Sequence, residues 1–155
     1  MNATVTYCGG MRFVGQSDSG HAVVMDTAVA NGGADSAVRP SELLVIGLAG
    51  CTGMDVISIL RKKRQPVTGL EVIVTAELAE KPPKRLSGFH VEYRVRGAGV
   101  DPAAVRRAIE LSESLYCSVG TTLREPATIA SSFTIVPEDA PEAPSGGPAA
   151  STSSG

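Results

Sequence analysis

RPSELLVIGLAGCTGMDVISILRKK, Arg39 to Lys63, is the stretch whose reading decides the fold. Pro40 suits the first helical position, where its missing N–H costs nothing. Glu42 in the first turn and the basic run Arg61 to Arg64 at the far end both complement the helix dipole. Gln65-Pro66 stops the helix. Between these ends the residues are apolar on nearly every face, which predicts a helix buried all round. Glu42, Asp55 and three glycines interrupt the apolar run, so a core helix is expected and not a membrane span. Gly47, Gly50 and Gly53 form a narrow stripe, each about 1 kcal/mol less favourable than alanine in a helix. A neighbour should therefore press close there, another helix being the simplest. Cys51, in the middle, is either inert filling or a reactive thiol held in a dry site.

Upstream, Ala3 to Tyr7 alternates as a strand does. Gly9-Gly10 and Asp18-Ser19-Gly20 mark turns on either side of Met11 to Val14, and His21 to Asp26 follows, so an antiparallel meander is expected. Thr27 to Val38 is a glycine-rich loop without periodicity, of the kind that often carries function. Downstream, Leu70 to Ala79 and Phe89 to Arg96 alternate around the rigid turn Lys81 to Arg85, a hairpin with one charged face. Asp101-Pro102 caps a helix from Ala103 to about Ser114. A short helical turn is expected within Leu115 to Arg124, and a last strand over Ala127 to Val136. This order makes an α+β fold with mainly antiparallel strands. Residues 1–136 read as one domain. From Pro137 the composition is Pro, Glu, Asp, Ala, Ser, Gly and Thr, which predicts a disordered tail over 137–155.

Composition narrows the function. A net charge of −2 gives no electrostatic reason to expect nucleic acid or an anionic membrane as partner. The absence of Trp and an aromatic share of 4% argue against a base-stacking surface. Met1-Asn-Ala-Thr lacks the basic and apolar regions of a secretory leader, so a cytoplasmic setting is expected. Three cysteines, Cys8, Cys51 and Cys117, are too few and too odd for a disulfide framework. His21 and His90 have no metal-ligand spacing to them, so neither a metal nor a cofactor is expected. His21 follows a turn and is a weak candidate for a contact with the central loop.

Cys51 and Cys117 are the pair to weigh, each either a small buried hydrophobe or a reactive thiol. Cys51 lies about 16 Å along its helix, beyond help from the helix N-terminus. Cys117 stands where a short helix begins, so local position favours it as the more acidic thiol. Asp55, four residues after Cys51, shares its face and is expected to be a buried hydrogen-bond anchor that raises a nearby thiol pKa. Arg12, Arg39 and Arg124 are the candidate cations, each otherwise a solvated surface charge. Cys8, beside a turn, is expected to be structural.

Arg39 to Asp55 and the segment LSESLYCSV, Leu111 to Val119, resemble the two cysteine motifs of the OsmC/Ohr family. The resemblance spans about Ala3 to Val136, and the Cys-Thr-Gly-Met-Asp form is most similar to its YhfA-like branch. It implies antiparallel sheets wrapped around two buried central helices in an intertwined homodimer, with active sites at the interface. It also implies thiol-dependent reduction of organic hydroperoxides. Cys51 matches the attacking cysteine, reversing the local preference for Cys117. Cys117 matches the resolving cysteine, and an external dithiol regenerates the pair. Family members hold the first thiolate with an arginine from the N-terminal hairpin, for which Arg12 is the nearest match. In the better-known peroxidases a Pro-Glu pair at the helix start holds that arginine. Here Ser41 follows Pro40, and the glutamate falls at Glu42, about half a turn around the helix from Cys51. That departure keeps open a non-catalytic small-molecule-binding or redox-sensing role on the same fold.

Overall fold

Alternation at the N-terminus yields the expected meander. β1 (Ala3–Tyr7), β2 (Phe13–Ser17) and β3 (Ala22–Met25) pair antiparallel in chain order. They are seen in a computed structural model, which describes residues 1–125 and 129–132. β2 begins two residues later than its sequence suggests. Gly9 and Gly10 take positive φ, and Cys8 and Arg12 close the turn through their backbone amides, which keeps Met11 and Arg12 out of the strand. Every residue of β1 is exposed, and none of the three strands packs extensively on the helices. His21 bonds the hydroxyl of Ser19 in its own turn at 3.3 Å, not the central loop.

The long helix α1 (Pro40–Lys62) lies on the hairpin of β4 (Gly69–Leu78) and β5 (Leu86–Arg96), and on α2 (Pro102–Leu111). Register places Glu71 opposite Arg94 and Val72 opposite Tyr93. The outer face thus carries the Glu71–Arg94 ion pair at 3.3 Å, while Tyr93 and Val95 turn inward to the core. Asp101 caps α2 by accepting from Ala103 N–H. The core is small: Val56 and Leu60, both 0% exposed, meet Ala104 and Ala108. Leu48, Thr52, Val56 and Leu60, spaced by four, are the buried line of α1.

The expectation that α1 is buried all round fails for the single chain. Leu44, Ile46 and Met54 remain exposed, Met54 at 73%. A single hairpin and α2 can cover only one side of a cylinder. The glycine stripe behaves accordingly. A Cβ on Gly53 would stand 3.2 Å from Val72 on β4, whereas Gly47 and Gly50 meet nothing within 4 Å. The neighbour within the protomer is therefore a strand, not the expected helix. By length and composition alone α1 could cross a membrane, the one described helix that could, but its line of four is packed into the protein core.

After α2 the helix does not continue to Ser114 as expected. It widens into a π-helical turn, Ser112–Tyr116, breaks at Cys117, and resumes as α3 (Ser118–Arg124). Such widened turns are frequent at functional sites. The expected last strand, Ala127 to Val136, and the tail from Pro137 lie outside the described residues, apart from Ile129 to Ser132, which have no regular structure.

The loop Thr27 to Val38 is tied down by one carboxylate. Asp26, 2% exposed, accepts from the amides of Thr27, Ala34 and Ser36 and from the Ser36 hydroxyl at 2.6 Å. The Ser36 hydroxyl first, then these amides, lower the Asp26 carboxyl from 3.8 to about 2. The unfolded chain binds this proton near 3.8 and the folded chain only near 2, so the stabilisation is full above about pH 4. It is lost as pH falls through about 2. In urea unfolding across this range, wild type should lose its midpoint steeply from pH 4 down to 2, and Asp26→Asn should be less stable at neutral pH but flatter in acid. Parallel slopes for the two would remove this role from Asp26.

Candidate active site

Two of the four candidate site residues meet. Cys51 sits mid-α1 and partly buried. Cys117, 3% exposed, occupies the position just before α3. Their sulfurs and a carboxylate oxygen of Asp55 all lie within 4.8 Å of one another, and both thiols are free. The three donors are also close enough to converge on a cation.

Position and chemistry part company at Cys117. It does cap a short helix, accepting from Gly120 N–H at 3.3 Å. Yet burial pushes its thiol above the ordinary value, and Cys51 and Asp55 push the same way against the single Gly120 amide. The expectation of an acidic Cys117 is thus overturned: one amide dipole does not offset desolvation beside another thiol and a carboxylate.

Asp55 is the hydrogen-bond anchor its spacing suggests, accepting from Ser112 Oγ at 2.9 Å. Ser112 is in turn 2.9 Å from Thr52 Oγ1, and Thr52 is 2.5 Å from the Tyr93 hydroxyl. Sequence reasoning missed Thr52, Ser112 and Tyr93 as a group. One signal was available: Thr52 interrupts the buried line Leu48–Thr52–Val56–Leu60, and a buried hydroxyl on an apolar line needs a partner. Nothing in sequence spacing identifies that partner as Ser112, sixty residues on.

The charged candidates are distributed differently. Glu42 accepts from the Arg39 amide at 2.9 Å and from its guanidinium at 3.4 Å, closing the start of α1, while Arg39 also holds Asp35 at 2.8 Å. Arg12 is exposed in the β1–β2 turn, and among the described residues it makes no ion pair. Arg124 is the arginine beside Cys117. Its Nη1 donates to Glu113 O at 3.0 Å, and it lines a cavity of about 410 Å³ with Cys117, Tyr93, Thr52 and His90. Leu48, Phe89, Val91 and Leu123 supply apolar wall. Burial first, opposed by its bond to Thr52, raises the Tyr93 hydroxyl above its ordinary value, so it stays a neutral phenol. Cys8 is exposed, its thiol 3.5 Å from Thr6 O.

This order of strands and helices is also found in known proteins. The family described as OsmC-like protein matches residues 33–132. Protein YhfA of Escherichia coli K12 is 38% identical over 136 residues, covering 88% of this chain and 98% of that protein. A hypothetical protein from Aquifex aeolicus VF5 has a solved structure 27% identical, with TM-score 0.69, covering 79% of this chain and 86% of its own. The same fold, at 21% identity and TM-score 0.54, occurs in an organic hydroperoxide resistance protein from Elizabethkingia anophelis, with 79% and 86% covered. With both cysteine motifs inside or overlapping the matched segment and most of the chain paired to YhfA, the protein belongs to the OsmC family.

Proposed function

We propose that this protein is a homodimeric thiol peroxidase that reduces organic hydroperoxides. The observation that carries the reading is the approach of Cys51 and Cys117 to within 4.8 Å, with Cys117 on the wall of a partly apolar cavity. The fold shared with a hydroperoxide resistance protein supports it. In the first step the Cys51 thiolate attacks the terminal peroxide oxygen, the O–O bond breaks, and the alkoxide leaves to be protonated as alcohol. Cys51 becomes a sulfenic acid. Cys117 then attacks the Cys51 sulfur, giving the disulfide and water, and an external dithiol reduces the pair. Cavity size suits a hydroperoxide with a modest alkyl or aryl group.

The homodimer is supported by what one chain leaves uncovered. Leu44, Ile46 and Met54 form an exposed apolar side of α1, Gly47 and Gly50 are open to close approach, and no strand of the meander packs extensively on the helices. In this reading Arg12 acts on the thiol of the partner subunit across the interface. Glu42 contributes by holding the start of α1, in place of an activating pair with that arginine. No nucleic acid, membrane, cofactor or metal is required, and the setting proposed is cytoplasmic.

A second reading, a non-catalytic redox sensor or small-molecule binder, is favoured by one observation. No arginine of the same chain pairs with Cys51 among the described residues. Peptide mass spectrometry after one equivalent of cumene hydroperoxide decides between them. The peroxidase reading expects a Cys51–Cys117 disulfide, full recovery of thiols with dithiothreitol, and repeated cycles. A thiol count unchanged by peroxide would sink it, and a single slow oxidation without turnover would favour the sensor.

A further inference from the structure

Each cysteine motif carries more than its cysteine. The first, Cys-Thr-Gly-Met-Asp, brings Thr52 and Asp55, and the second, Leu-Ser-Glu-Ser-Leu-Tyr-Cys, brings Ser112. The fold joins them in one hydrogen-bonded line, whose direction follows from what each group can do. A carboxylate only accepts, so Ser112 donates to Asp55 at 2.9 Å. The Ser112 oxygen is then the acceptor for Thr52 at 2.9 Å, and Thr52 the acceptor for Tyr93 at 2.5 Å. Thr52 and Ser112 are 2% and 0% exposed, so neither hydroxyl has water as an alternative. The line starts at the cavity wall, on Tyr93, and ends on Asp55, among the described residues the one carboxylate that stands within 4.8 Å of both sulfurs.

We infer that Asp55, positioned by Ser112, is the proton carrier of the resolving step. The inference rests on the peroxidase reading. In that step Cys117 Sγ gives an electron pair to Cys51 Sγ, the S–O bond of the sulfenic acid breaks, and its electrons leave on oxygen. Asp55 takes the Cys117 thiol proton and passes it to that oxygen, so that water departs instead of hydroxide. Sulfenic acid and thiol are consumed and disulfide and water formed, with no other reactant.

The surroundings fit this task better than they fit activation of the first thiol. A carboxylate beside two thiols disfavours thiolate, which is a cost to a nucleophile but no cost to a base. Burial also keeps Cys117 protonated until it reacts, so an acceptor is needed at the moment of attack. The titratable and charged groups around the cluster are Cys51 on α1, Cys117 before α3, Tyr93 and His90 on β5, Glu113 in the π-helical turn and Arg124 on α3. Of these only Asp55 adjoins both sulfurs as a carboxylate.

Quench-flow with cumene hydroperoxide separates the two steps, with dimedone trapping the Cys51 sulfenic acid and thiol counting following closure. Asp55→Asn should still give the sulfenic acid burst, which also shows that its site is folded. Its closure should slow about a hundredfold, a usual share for general acid–base catalysis. The remaining rate should climb about tenfold per pH unit as Cys117 ionises, a dependence that wild type should lack. Ser112→Ala should fall between the two, and Asp55→Glu should restore part of the rate. Closure in Asp55→Asn at the wild-type rate and pH profile would overturn the inference, as would loss of the burst together with closure. A wild-type protein that never forms sulfenic acid would overturn the peroxidase reading itself, and this one with it.

Discussion

Cys51→Ser is expected to lower peroxide turnover at least about a thousandfold, the scale of losing a nucleophile. A serine hydroxyl in place of the thiol is almost wholly un-ionised at neutral pH and has no accessible sulfenic state. The pocket and Cys117 would both survive the change, so any residual activity measures what the second thiol can do alone. Cys117→Ser is the informative companion. It should retain the first step and stop after one equivalent of peroxide per subunit, with a sulfenic acid that persists on Cys51. Hydroperoxide consumption with dithiothreitol as reductant reads the first variant, and consumption without reductant, with dimedone trapping the sulfenic acid, reads the second. The opposite pattern, a burst in Cys51→Ser and none in Cys117→Ser, would reverse the two roles and restore the order that helix position alone suggests. Burial beside Cys51 and Asp55 makes that reversal unfavourable for Cys117.

The second large effect lies far from the thiols. Gly33→Ala should destabilise the protein by about 3 kcal/mol, the upper range of single substitutions, and lower the melting temperature by about 10 °C. A methyl at this position would overlap the Thr27 carbonyl and stand 2.8 Å from Asp26 Oδ1. Both neighbours are fixed. The Thr27 carbonyl accepts from Asp35 N–H at 3.0 Å, and Asp26 holds the loop through Thr27, Ala34 and Ser36. No side-chain rotation relieves such an overlap, so the loop that enters α1 must move as a unit. Calorimetry checks it, and a melting temperature within two or three degrees of wild type would show that the loop yields cheaply. Gly47→Ala is the contrast within one chain, since its Cβ meets nothing within 4 Å.

The sequence made the elements legible where the signal is local. Pro40 and the basic end at Arg61 set the bounds of α1 within one residue. Alternation located β4 and β5, and Asp101-Pro102 started α2 where it starts. Local signals failed where two turns compete. Apolar spacing carried α2 on to Ser114, but the turn from Ser112 widens so that Cys117 N–H reaches Ser112 O at 2.8 Å, which no propensity expresses. The resemblance of two short motifs supplied the pairing of Cys51 with Cys117 as an expectation, and the fold brings the two sulfurs together.

By itself, then, the sequence determined an α+β chain built on one long apolar helix, two antiparallel sheets and two thiols in separate motifs. Those are consequences of periodicity, caps and turns, which act over a few residues. The tertiary structure decided which side of that helix is covered, that Gly53 packs on a strand, and that Thr52, Ser112 and Tyr93 form a line ending at Asp55. It also decided that burial holds Cys117, well placed at a helix start, above the ordinary thiol value. Burial and the approach of groups sixty residues apart set those outcomes, and neither is a property of local sequence.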